Sequence, residues 1–218
     1  MVDAAPAPVV AVLTRAPASG GKTRLFASLG VLPDTALLTA LLLDTIDRAA
    51  ARGVRRVIAV TPPEACDDVR ALTGLEVIAQ PQGDLGHRMH AVMARLFAGG
   101  ATAVAVIGSD LPHLVTETVA AAFAVVRADR NALVLGPTDD GGYYLLAAGR
   151  LPNVFRGIDW GGPDVLARTE VAARTDGFSV HRLPFMTDVD TADDLRRAAA
   201  LVPARRTAEW LRRMVGLK

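Results

Sequence analysis

The sequence predicts an α/β domain built on a mostly parallel sheet, and three observations carry that expectation. Short apolar runs that read as buried strands alternate with stretches whose apolar residues recur at helical spacing. Glycine, proline and polar clusters separate the two kinds of segment. A chain of 218 residues, 51% hydrophobic and 22% charged, suffices for one substantial core and is not the composition of a disordered protein.

Residues 1–8 are expected to form a disordered N-terminal arm, and residues 9–218 a single domain. Val9 to Thr14, apolar on both faces, reads as the first strand. Arg15 to Arg24 is a loop holding Pro17, Gly20, Gly21 and three cations. Pro33 and Asp34 open a helix to about Ala51, because Leu37, Leu38, Leu41, Leu42 and Ile46 fall on one side of a helical turn. Arg55 to Thr61 is a strand stopped by Pro62-Pro63, a short helix runs from Glu64 to about Leu72, and Leu75 to Ala79 is a third strand. Gln80 to Gly86 is a loop leading into a helix that Gly99 and Gly100 stop near Ala98. Ala103 to Ile107 is the fourth strand, followed by Gly108, Ser109 and Asp110, and Pro112 bars its continuation. A helix from about Thr116 to Ala128 precedes a strand at Ala132 to Leu135, a tight acidic loop at Gly136 to Gly142, and a strand at Tyr143 to Ala147. Pro163 or Asp164 to Thr175 is helical, Phe178 to Leu183 is a strand, and the remainder is helical with a break at Pro203.

A net charge of +1 gives no bulk electrostatic case for nucleic acid or a membrane surface. No uninterrupted apolar run has the length of a membrane span, and the first residues lack the cationic and apolar regions of a secretory leader. Cys66, the single cysteine, has no internal disulfide partner and fits a reducing compartment. A cytoplasmic protein is expected. The C-terminal cations Arg196, Arg197, Arg205, Arg206, Arg212, Arg213 and Lys218 read as a solvated face, with Leu195, Leu201, Trp210, Leu211 and Met214 on the apolar side.

Four stretches carry candidate chemistry. In the first loop, Gly20 and Gly21 allow close backbone approach, and Arg15, Lys22 and Arg24 offer charge to phosphate oxygens. It departs from the P-loop pattern, because Ala16 stands at the first glycine position and Pro17 removes a donor, so a P-loop ATPase is the least favoured alternative. In the second, Asp84 is suited to cap the following helix, while Gln80, Gly83 and Arg88 are candidates for a base or phosphate. His87 and His90 have a spacing that suits a metal only weakly. Asp110 stands at the carboxyl end of a strand, where open α/β sheets bind ligands, and reads either as a turn cap or as an oxygen ligand for Mg²⁺ or Mn²⁺. Asp188 and Asp190 offer further carboxylates, with Thr191 and Asp194 forming a capping turn after them. In the fourth, Asp139 and Asp140 are turn formers, sugar ligands or a base, between glycines that include Gly141 and Gly142. Strand alternation lets at most one of Tyr143 and Tyr144 face a cleft, and Trp160 either stacks on an acceptor or packs in the core.

Taken in order, Ala16-Pro17 with Gly20-Gly21-Lys22-Thr23-Arg24-Leu25, Gln80 to Met89, Ile107 to Pro112, Gly136 to Tyr144 and Asp188-Val189-Asp190-Thr191 resemble a bacterial glycosyltransferase family of the arsenosugar-biosynthesis type. That family belongs to the nucleotide-diphospho-sugar transferase superfamily. The resemblance implies a GT-A type fold, a three-layer α/β/α sandwich with a mixed sheet. It also implies a divalent metal at Asp110, with Asp190 as second ligand, and a phosphate-facing loop from Arg15 to Arg24. Arg15 stands where the family carries lysine, which keeps the charge and changes the donor geometry.

The leading expectation is glycosyl transfer from a nucleotide-diphosphate sugar to a small acceptor. Asp110 would sit beside the diphosphate, Lys22 and Arg24 would add charge, Asp139 or Asp140 would act as base, and Gly141, Gly142, Tyr143 and Trp160 would meet the substrate. Nucleotidyl transfer from a nucleoside triphosphate, as in phospholactate guanylyltransferases, uses the same parts. A nucleotide-binding protein without catalysis is the third reading.

Overall fold

The computed structural model describes residues 6–201 and 205–216. Most of the expected N-terminal arm, the break at Pro203 and Lys218 lie outside the described residues. Seven strands form one sheet: β1 (Val9–Arg15), β2 (Arg55–Thr61), β3 (Glu76–Ala79), β4 (Val104–Ile107), β5 (Ala132–Pro137), β6 (Tyr143–Ala148) and β7 (Ser179–Arg182). The helices are α1 (Thr23–Leu29), α2 (Thr35–Arg48), α3 (Cys66–Thr73), α4 (Leu85–Ala98), α5 (Glu117–Ala128), α6 (Val165–Thr175), α7 (Ala192–Leu201) and α8 (Arg205–Gly216).

The sheet order is β3-β2-β1-β4-β6-β5-β7. All pairings are parallel except those of β6, which runs antiparallel to β4 and β5. The sheet is therefore mixed, as the family resemblance implied. The reversal puts the β5–β6 turn at the same rim as the carboxyl ends of β1 and β4.

Both faces are covered, which is why the strands read as continuous apolar runs. On β1, Val10 and Val12 join one core with Leu42 and Ile46 of α2, Val69 of α3 and Phe123 of α5. The alternate residues Val9 and Ala11 join a second core with Val92 and Met93 of α4 and Ala173 of α6. These are the three layers of the sandwich. A third cluster stands outside the sheet, where Leu25 and Phe26 of α1 and Leu37 and Leu41 of α2 meet Val189, Leu195 and Trp210. Among the described residues no helix is long and apolar enough to cross a membrane.

α1 departs from the expectation that Thr23 and Arg24 belong to a loop. No side chain caps its first turn, so the usual start signal is missing, and Lys22 enters it in the left-handed region at φ 51°. Leu25 and Phe26 supply the buried face that stabilises so short a helix. Asp34 caps α2, its Oδ1 accepting from the Ala36 N–H at 2.8 Å. Leu201, expected on the apolar side of the C-terminal helices, is 71% exposed.

α8 is fastened to α2 through one buried acid. Asp44 is 3% exposed, and its Oδ2 accepts from the Thr207 N–H at 2.9 Å and the Thr207 hydroxyl at 2.8 Å. Its Oδ1 accepts from Arg206 Nη1 at 3.0 Å. Asp44→Ala strands these donors, so a loss of about 2 kcal/mol is expected, read as a lower urea midpoint with an unchanged slope.

Candidate active site

Asp110 follows β4 through a turn that its neighbours shape. A Cβ on Gly108 would sit 2.6 Å from Asp110 Oδ1, so a glycine there leaves the carboxylate its place. Thr45, fully buried on α2, donates to the Ser109 carbonyl at 3.2 Å and accepts from the Leu111 N–H at 3.0 Å. The Asp110 carbonyl accepts from the Val189 N–H at 3.1 Å, which ties the late acidic segment to the end of β4. Val189 is fully buried in the third cluster, and Asp188 and Asp190 flank it. Behind them the expected capping turn is present. Asp194 Oδ2 accepts from the Thr191 N–H at 2.8 Å and the Thr191 hydroxyl at 2.7 Å. Asp194→Ala is expected to cost about 1 kcal/mol and lower the melting temperature accordingly.

These contacts bring Asp110, Asp188 and Asp190 together, each offering an oxygen within 4.8 Å of the others. Lys22 Nζ donates to Asp110 Oδ2, and to Asp190 Oδ1 at 2.6 Å. The sequence singled out all four residues, but it aimed Lys22 at phosphates alone. Burial pulls the Lys22 ammonium down, yet the charges and hydrogen bonds of Asp110 and Asp190 together raise it above its ordinary value. Burial, then the nearby Asp110 charge, pushes Asp188 up to about 6. The three converging carboxylates are a donor set that fits a hard divalent cation such as Mg²⁺ or Mn²⁺, although the Lys22 ammonium now bonds two of them.

Two cavities meet at Asp110. One, of about 260 Å³, is lined by Thr14, Arg15, Gly20, Gly21, Lys22, Ser109 and Asp110. It joins the cations and glycines of the first loop to the strand end, as expected. The other, of about 280 Å³, has Leu13, Leu85 and Met89 on one wall and Tyr143, Tyr144 and Trp160 on another. Asp110, Asp140, Asp188, Thr138, Gly142 and Gly162 are its polar or backbone lining.

The acidic loop divides its residues. Asp140 faces the larger cavity, with its Oδ1 accepting from the Thr138 hydroxyl at 2.6 Å and the Gly142 N–H at 3.0 Å. Asp139 points elsewhere: its Oδ2 accepts from the Thr187 hydroxyl at 2.6 Å, and it lines a separate hollow with His113 and Phe185. Gly141 serves packing, since a Cβ there would lie 1.9 Å from the Pro163 carbonyl oxygen. Both tyrosines line the cavity, where alternation alone admits one. The Tyr144 ring lies across Gly136, where a Cβ would come 2.3 Å from it, and its hydroxyl donates to the Pro184 carbonyl at 3.1 Å. Tyr143 and Trp160 meet edge to face at 6.4 Å. Trp160 Nε1 is buried without a hydrogen-bond partner among the described residues.

Of the second loop only Leu85 reaches a cavity; Gln80, Gly83 and Arg88 line neither. Gln80 is 4% exposed, and its Nε2 donates to the carbonyls of Thr14 at 3.0 Å and Ala59 at 2.6 Å, so its amide ties strands together instead of meeting a base. Arg88 Nε donates to the Asp84 carbonyl at 3.3 Å, and a Cβ on Gly83 would press on the His87 ring. Asp84 caps α4 by accepting from the His87 N–H at 2.7 Å, as expected. Arg24 is exposed on α1 and lines neither cavity. Neither His87 nor His90 belongs to the metal-capable group. Sequence reasoning missed Gly108, Thr45 and Thr138; only Gly108, a glycine two residues before an acid at a strand end, carried a legible signal.

The family model described as an uncharacterized protein conserved in bacteria (DUF2064) matches residues 45–162, from the Thr45 clamp through Asp110 to the Trp160 loop. The chain belongs to that family. A 3-phospho-D-glycerate guanylyltransferase from Phenylobacterium zucineum is 32% identical over 203 residues, 88% of this chain and 90% of the relative. A phosphoenolpyruvate guanylyltransferase from Mycobacterium marinum is 29% identical over 192 residues, 83% of this chain and 82% of the relative. Among solved structures, a protein from Desulfovibrio desulfuricans with the provisional name nucleotide-diphospho-sugar transferase superposes with a TM-score of 0.85 at 30% identity, covering 96% of each chain. The family fold is therefore the nucleotide-diphospho-sugar transferase sandwich.

Proposed function

We propose that this family member is a nucleotidylyltransferase. It transfers the nucleoside monophosphate of a nucleoside triphosphate, GTP first among candidates, to a small phosphorylated carboxylic acid. The observation that carries the reading is the junction at Asp110, where three carboxylates and Lys22 separate a glycine-lined cationic cavity from an aromatic one. The two guanylyltransferase relatives support it, because their names pair one nucleotide with different phosphorylated acids of three carbons.

In this reading the triphosphate lies along the first loop, where Gly20 and Gly21 admit close backbone approach and Arg15 and Lys22 balance its charge. Asp110, Asp188 and Asp190 would hold Mg²⁺ or Mn²⁺, which supplies positive charge to the reacting phosphates when bound. The acceptor phosphate oxygen attacks the α-phosphorus, and pyrophosphate leaves from the opposite side. A phosphate monoester is largely dianionic at neutral pH, since its second pKa is about 6, so no general base is required. Asp140 then orients the acceptor side through its fixed turn, in place of the base role expected for Asp139 or Asp140. The Tyr143 and Trp160 side chains form the aromatic part of the larger cavity's lining.

The test is pyrophosphate release from GTP, CTP, ATP or UTP with Mg²⁺ and either 3-phosphoglycerate or phosphoenolpyruvate. Release that requires the acid supports the reading. The overall likeness to the Desulfovibrio protein favours a second reading, glycosyl transfer from a nucleotide-diphosphate sugar. Nucleoside diphosphate release from a nucleotide sugar, with no pyrophosphate from any triphosphate, would replace the first reading with the second.

A further inference from the structure

We infer that Lys22 is the site's own counter-cation, competing with the divalent ion for Asp110 and Asp190 and yielding them when nucleotide phosphates draw its ammonium away. The inference rests on the metal reading above.

The geometry is one of exclusion. Lys22 Nζ is hydrogen-bonded to both Asp110 Oδ2 and Asp190 Oδ1, two of the three acids that converge within 4.8 Å. Mg²⁺ binds oxygen at about 2.0–2.1 Å and demands near-octahedral space. An ammonium already bonded to two of those carboxylates fills that space, and a dication beside it would be repelled. Asp188, the third acid, is the one Lys22 does not bond.

The backbone holds this arrangement with a residue ill suited to it. Lys22 is the one non-glycine residue at positive φ among the described residues, at φ 51° and ψ 42°. The contacts with Asp110 and Asp190 give a reason for a lysine there. Gly20 and Gly21 precede it at φ 73° and 132°, and a Cβ on Gly20 would meet nothing within 4 Å.

The ammonium also has a second destination. The cationic cavity is lined by Lys22 and Asp110 but not by Asp190, so phosphates seated there would offer the ammonium another anionic partner. Transfer of the ammonium to a phosphate exchanges one anionic partner for another and frees two carboxylates. Metal and nucleotide would then bind with positive coupling.

The experiment is a Mn²⁺ titration of the full chain, followed by the electron paramagnetic resonance of free Mn²⁺, on wild type, Lys22→Met and Lys22→Arg. Circular dichroism confirms that each variant is folded. Without nucleotide, Lys22→Met is expected to bind Mn²⁺ about 10-fold more tightly than wild type, and Lys22→Arg to remain as weak as wild type. At saturating GTP the advantage of Lys22→Met should disappear, because wild-type Lys22 has left the carboxylates. Equal or weaker Mn²⁺ binding by Lys22→Met without nucleotide overturns the inference while leaving the metal site standing. An advantage that persists unchanged with GTP overturns the hand-over. Absence of Mn²⁺ binding by every protein, with and without GTP, defeats the metal reading itself and the inference with it.

Discussion

Asp110→Asn is expected to lower turnover by about 10²–10³-fold while leaving the chain folded. Asp110 is the residue common to both cavities. Its carboxylate is one of the three that would hold the cation, and it is bonded by Lys22. Asparagine keeps the shape beside Gly108 and the carbonyl bond to Val189, so the loss falls on charge alone. Removing that charge also eases the repulsion on Asp188, whose carboxyl burial, then the Asp110 charge, pushes up. Stability should therefore change little. The checks are pyrophosphate release under saturating substrates and a thermal melt of the same preparation. A decrease of less than about 10-fold in turnover would remove Asp110 from the centre of the mechanism.

Gly141→Ala is expected to cost at least about 3 kcal/mol and to reduce activity in whatever protein folds. Two effects add. The residue lies at φ 87°, and its new Cβ would stand 1.9 Å from the Pro163 carbonyl oxygen and 2.6 Å from the carbonyl carbon. Those are backbone atoms at the start of α6, and the Gly141 carbonyl itself accepts from the Leu166 N–H at 2.8 Å. The clash can be relieved only by parting the acidic loop from the segment that carries Trp160 and Gly162 into the larger cavity. Gly53→Ala is the control: φ is 75° there too, but a Cβ meets nothing within 4 Å. It should cost only the backbone strain, about 1–2 kcal/mol, with no loss of activity. Chemical denaturation and turnover of the two variants separate packing at the site from strain alone.

The sheet was legible in the sequence because buried strands and amphipathic helices alternate in strongly contrasting residues, as in Val9 to Thr14 against Leu37 to Ile46. The antiparallel course of β6 was not, since direction leaves no trace in an apolar run; the resemblance implied a mixed sheet without saying which strand reverses. α1 was missed because it starts from a left-handed lysine with no capping side chain. At the site, acids at strand ends and a glycine-cation loop declare their chemistry through residue type, so Asp110, Lys22, Asp188 and Asp190 were all found. What residue type does not encode is where a polar group is spent. Gln80 looked available and ties two carbonyls, and Asp139 looked equivalent to Asp140 and bonds Thr187 on another wall. Such partners lie tens of residues away, and only the fold selects them.

The hydrogen bond from Val189 to the Asp110 carbonyl has a consequence for synthesis on the ribosome. The first six strands are complete by Ala148, and chains emerging from the ribosome fold largely from the N-terminus onward. Yet the acids of the site close only when residues 188–190 arrive, and the same segment, with Leu195 and Trp210, covers the apolar faces of α1 and α2. A nascent chain halted before that point carries a nearly finished sheet, a bare apolar patch on its first helices and a lysine without Asp190 to bond. The acids that would hold a metal are thus gathered only after the first six strands are made, together with the covering of the apolar faces of α1 and α2.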